Sequence, residues 1–134
     1  MKGSWIALPV MLTAGVVAGC SVAPSELRQR EPVASAELPM NVDRAMNCIA
    51  GAALEIWTGG VSATPTMQPD GAAADVHLVA GGGFGNVLFG TVRIDRAEQG
   101  SFGRVWIGDQ AVFSQDNEAR DLLTRCGAAV AATG

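Results

Sequence analysis

Only seven residues separate two strand-like runs, Val87–Ile94 and Phe102–Ile107. A parallel crossover needs a dozen or more residues, so these runs can pair only antiparallel. Asp95–Gly100 reads as the turn between them. Upstream, Ala74–Ala80 alternates, with Val76 and Leu78 on one face and Asp75, His77 and Val79 on the other, as a half-buried strand requires. Gly81–Asn86 joins it to Val87 and is again too short for a crossover. The expectation is an antiparallel meander over 74–80, 87–94 and 102–107. A short edge strand near Thr64–Gln68 would be a fourth.

Helical patterns flank this sheet. Val42, Ala45, Met46 and Ile49 form one apolar stripe at helical spacing. Asn41 is placed to cap the first turn, and Asp43 suits the positive end of the dipole. Gly51 weakens the helix, and Leu54–Trp57 reads as its tail or as a short strand before Thr58-Gly59-Gly60. Near the other end, Ala119, Leu122, Leu123 and Cys126 repeat at i, i+3, i+4 and i+7. Ser114–Asn117 supplies caps, Glu118 and Arg125 suit the dipole, and Gly127 is a stop signal. The expected fold is α+β: a small three- to four-stranded antiparallel sheet, one face covered by N- and C-terminal helices. The domain is read as 41–130, about 90 residues and one core, with 131–134 as a frayed tail.

The N-terminal segment has another character. Lys2 precedes thirteen mostly apolar residues, Trp5–Val17. That length suits a signal-peptide core and is too short for a bilayer-spanning helix. Val17-Ala18-Gly19-Cys20 closes the run. These residues resemble the lipobox of bacterial lipoproteins, a resemblance that covers 1–21 alone. It implies a signal peptide over 1–19, cleavage between Gly19 and Cys20, and acylation of Cys20, with the lipid bilayer as partner. Ser21, in place of an acidic residue, resembles the outer-membrane pattern. The expected placement is therefore an outer-membrane, lipid-anchored protein whose domain lies in the periplasm. A plain secreted protein, or a Cys20 that forms a disulfide, is the alternative. Residues 20–40, interrupted by Pro24, Pro32 and Pro39, read as a lipidated flexible tether, with a brief helix from Ser25 to Arg30 as an option.

Cysteine arithmetic follows from that resemblance. If Cys20 carries lipid, Cys48 and Cys126 remain, and export places both outside the reducing cytosol. A Cys48–Cys126 disulfide is expected. Two buried thiols, or a redox or metal pair, are the alternatives, but the chain has no CxxC and a single His.

Charge narrows the partners. Without Lys2 the chain has eight Arg against thirteen acidic residues, a formal side-chain charge of −5. No basic cluster is present, which argues against nucleic acid.

Candidate sites are few. Gly81-Gly82-Gly83-Phe84-Gly85 looks like a phosphate loop, but a strand follows it where a helix N-terminus is needed. A hairpin loop is the simpler reading. His77 could act as a base if Asp75, on the same face, oriented it; a half-exposed sheet residue is the blander reading. Ser62, Ser101 and Ser114 lack a nucleophile-elbow context. Asp95, Glu98, Asp109, Asp116 and Glu118 are turn or cap residues and match no calcium loop. Phe102 and Trp106 share one strand face, with Val105 and Ile107 on the other. Phe102, Trp106 and His77 are thus a candidate binding surface, set against a reading of the aromatics as core. With no catalytic or metal constellation and no cofactor expected, the reading is a non-catalytic envelope protein that binds or supports another component or a second copy. A small-molecule or glycan-binding domain is the runner-up, and a hydrolytic enzyme the third.

Overall fold

The computed structural model describes residues 23–82, 85–108 and 116–128. Its elements in chain order are α1 (Pro24–Leu27), β1 (Ala34–Leu38), α2 (Val42–Ile56), β2 (Val61–Met67), β3 (Ala73–Gly82), β4 (Gly85–Arg96), β5 (Ser101–Ile107) and α3 (Asp116–Arg125). The strands form one antiparallel sheet in the order β1-β5-β4-β3-β2.

The fold class stands as α+β with flanking helices, but the sheet has five strands rather than three or four. The expected meander is its centre. The extra strand is β1, whose residues had read as tether. Pro32 and Pro39 bracket it rather than break it, because an edge strand tolerates proline at its ends. Ala34 lies opposite Val105 and Leu38 opposite Ser101. Leu38 is buried, which anchors the strand to the core. The stretch around Leu54 is helix tail, not strand, since α2 runs on to Ile56.

The start of α2 and the end of α3 follow from their sequences. The Asn41 side chain accepts a hydrogen bond from Arg44 N at 2.9 Å, satisfying an amide the first turn leaves open. At the end of α3, Ala128 N donates to Leu123 O and Gly127 N to Thr124 O. That pair of bonds is a Schellman cap, and Gly127 supplies its left-handed residue with φ 93°. The capping residues Ser114 and Gln115 lie outside the described residues.

The core lies between the helices and one sheet face. Ala74, Val76 and Leu78 of β3, Val92 and Ile94 of β4, and Val105 of β5 meet Val42, Ala45, Met46 and Ile49 of α2 and Ala119, Leu122 and Leu123 of α3. Pairing slips between Leu78 and Val79, so Phe89 is an extra residue on β4. Phe89 is buried there, and its ring meets Trp57 edge-on at 5.6 Å between centroids. Cys48 and Cys126 are bonded, with Cα atoms 5.8 Å apart, tying α2 to the end of α3 across 78 residues of chain.

The expected outer-membrane and periplasmic placement is corrected. Among the described residues no helix is long and apolar enough to cross a membrane. The 15 residues of α2 reach about 22 Å at 1.5 Å per residue, short of a hydrocarbon core of about 30 Å. The described sheet is open, with β1 and β2 as its two edges. Gly19, Cys20 and Ser21, which carried that placement, lie outside the described residues, as do Phe84, Asp109 and 129–134.

Candidate functional site: the outer face of the sheet

Strand alternation sends Asp75, His77, Thr91, Arg93, Asp95, Arg104 and Trp106 to the face away from α2 and α3. Register sets Asp75 across from Arg93. It also sets Arg93 across from Arg104, and Asp95 bonds to both of these guanidiniums. Arg93 Nη1 donates to Asp75 Oδ2 at 3.0 Å, and its Nε donates to Asp95 Oδ1 at 3.3 Å. Arg104 Nη2 donates to Asp95 Oδ2 at 2.6 Å. The result is an alternating chain, Asp75–Arg93–Asp95–Arg104, spanning β3, β4 and β5. Partial burial of Arg93 opposes its charge, yet Asp75 and Asp95 outweigh this and hold its guanidinium above its ordinary value.

Asp75 is the hub. Its side chain is only 8% exposed. Besides Arg93 it accepts from Gln68 Nε2 at 2.9 Å and from Arg28 Nη1 at 3.0 Å. A buried carboxylate is stable only when its lone pairs are satisfied in this way.

Arg28 arrives from residues 23–33, which lie across this outer face as a strap. Four-residue α1 has little stability of its own. It is held by what it touches. Leu27 is fully buried, and its position explains Gly108, where a Cβ would come within 3.3 Å of Leu27 Cδ2. Trp106 Nε1 donates to Arg30 O at 2.8 Å. Arg104 lies over the Trp106 ring, its guanidinium carbon 5.6 Å from the centroid. Val33 N donates to Val105 O, carrying the strap into β1.

Among the three residues expected to form a binding surface, His77 and Trp106 share one cross-strand row, through Thr91. Trp106 is covered by the strap, at 4% exposure, so it does not offer an open aromatic face. Phe102 lies two rows away, opposite Glu37 and Asp95, and is half-buried. His77 Nδ1 is 3.1 Å from Thr91 Oγ1. Asp75 shares its face, as expected, but is bonded to Arg28, Arg93 and Gln68. Arg28, Gln68, Arg93 and Arg104 were not among the expected site residues. The one legible signal was the alternation of Arg93-Ile94-Asp95, which puts opposite charges on one strand face.

Beside this lattice is an open hollow of about 490 Å³, lined by Gln68, Pro69, Asp70, Ala72, Ala73, Arg93 and Asp95. No group of three His, Cys, Asp or Glu side chains suited to a metal ion occurs among the described residues. No family model, curated protein or solved structure matches the chain.

The indole bond to the strap can be tested directly. Trp106→Phe keeps an aromatic ring under the strap but removes the donor, leaving Arg30 O without it. A loss of at least about 1 kcal/mol is expected, the bond plus the packing of the smaller ring, with faster trypsin cleavage after Arg28 and Arg30. Native-state proteolysis beside urea unfolding separates local release of the strap from global loss.

Proposed function

We propose that this domain is a non-catalytic binding or support module for a protein partner, with the outer sheet face as its working surface. The observation that carries this reading is how the face spends its polar groups. Asp75 is committed to two guanidiniums and an amide, and His77 faces a threonine hydroxyl. Acid–base chemistry needs a base with an orienting acid aimed at a reacting atom, and this lattice directs its charges at one another. Such pairing makes a rigid platform. The strap supports this reading, since a short segment of the same chain lies on the face through a leucine, an arginine and a backbone carbonyl. On the same face, Ser62, Thr64 and Thr66 on β2 and Ser35 and Glu37 on β1 remain exposed, with half-buried Phe102 opposite Glu37.

A photo-crosslinking residue at Phe102 of the full chain, compared with one at Leu54 on the helical side, tests this in the native cell. One defined protein adduct from Phe102 and none from Leu54 is the expected result. Equal adducts from both positions would overturn the choice of face. The hollow beside Arg93 and Asp95 favours a second reading, a small polar ligand. Exchange of a glycan panel followed by chemical shifts at Gln68 and Arg93, with Phe102 unmoved, would support it over a protein partner.

A further inference from the structure

The two sulfurs of the disulfide are not equally reachable. Cys126 is 1% exposed, whereas Cys48 is half-buried on α2. An open hollow of about 500 Å³ lies on the Cys48 side, lined by Asn47, Cys48, Gly51, Ala52, Glu55 and Arg125. Cys126 is not among its lining residues. Gly51 leaves the hollow bare, since a Cβ there would meet no heavy atom within 4 Å. At the rim, Arg125 Nη1 donates to Glu55 Oε2 at 3.1 Å, so the charges there are matched.

We propose that Cys48 is a thiol-exchange site for a small thiol. The thiolate enters the hollow and attacks Cys48 Sγ. A new S–S bond forms there, the Cys48–Cys126 bond breaks, and its electron pair leaves on Cys126 Sγ. That sulfur takes up the proton the entering thiol gave up. The products are a mixed disulfide on Cys48 and a thiol on Cys126; the entering sulfur is oxidised to the disulfide level as the Cys126 sulfur is reduced, so no further oxidant or reductant is needed. Access decides which sulfur is attacked. Ala119, Leu122 and Leu123 pack α3 into the core through contacts that do not involve the sulfurs, so the exchange proposed is one of the folded protein.

The test uses the full chain with reduced glutathione under native conditions, then acid quench, maleimide alkylation and peptide mapping. Glutathione is expected on Cys48 and maleimide on Cys126. Gly51→Phe should fill the hollow and slow the adduct by about tenfold or more, because exchange rate follows access. Gly51→Ala improves helix propensity without filling the space and should react at the wild-type rate. Comparable glutathione on Cys126 would overturn the proposal. So would a Gly51→Phe protein of native circular dichroism that reacts as fast as wild type, or wild-type protein that reacts only in denaturant.

Discussion

Replacing both Cys48 and Cys126 with alanine is expected to lower stability by about 4 kcal/mol. The bond closes 78 residues, and the chain-entropy relation for a loop of that length gives a loss of this size. For a folded unit of about 100 residues the melting temperature should fall by roughly 20 °C. Alanine is preferred to serine at Cys126, where a hydroxyl would be buried without a partner. Urea unfolding of the wild type, oxidised and then reduced, isolates the bond from the packing of the sulfurs. If reduction lowers the unfolding free energy by only about 1 kcal/mol, far short of the loop-closure figure, the loop-closure account of this domain's stability is wrong. Some helical signal should survive in the double variant at low temperature, because the caps of α2 and α3 do not depend on the bond.

Asp75→Ala is expected to cost about 2–4 kcal/mol. Removing one partner of a buried pair leaves the others desolvated and unmatched. Here Arg28, Arg93 and Gln68 would all lose an acceptor. The figure stays below that of a fully buried triad because Arg28 and Arg93 are 31% and 27% exposed and can recruit water. The same change should release the strap, so that trypsin cuts after Arg28 and Arg30 before the domain unfolds. A double-mutant cycle with Arg28→Met measures how much of the effect passes through the strap, and a coupling of about 1 kcal/mol or more is expected for a direct contact. Zero coupling, or proteolysis unchanged from wild type, would show that Asp75 serves the sheet alone.

Much of this architecture is legible in local pattern. The stripes Val42-Ala45-Met46-Ile49 and Ala119-Leu122-Leu123 identify both long helices because a 3.6-residue period is a property of the chain alone. Asn41 and Gly127 mark termini for equally local reasons: an open amide needs an acceptor, and a left-handed residue favours glycine. The short connections around β3, β4 and β5 leave antiparallel pairing as the only geometry. Cys48 and Cys126 read as a pair once the third cysteine was assigned elsewhere. By contrast, Ala34-Ser35-Ala36-Glu37-Leu38 has too little hydrophobic contrast to declare itself a strand. It becomes one because β5 presents an unpaired edge and Leu38 finds the core. Likewise, α1 is too short to be specified by propensity.

The candidate site divides along the same line. Sequence alternation placed Asp75 with His77 on one strand face and Phe102 with Trp106 on another, and each pair shares a face in the structure, whereas Asp95, read as a turn residue, lies in β4. The partners lay beyond its reach. Arg28 is 47 positions from Asp75, and the carbonyl of Arg30 is 76 positions from the indole it accepts from. Which carboxylate meets which guanidinium depends on strand register, and whether Trp106 is open or covered depends on a strap with no periodicity of its own. The sequence by itself determined the two long helices, the Asn41 and Gly127 caps and the antiparallel centre, because these rest on spacing and short connections; the cysteine pairing was an expectation that followed from the resemblance at Cys20. Tertiary structure alone decided the fifth strand, the covered tryptophan and the charge lattice, because each exists only where distant segments bring complementary edges, apolar faces and charges into contact.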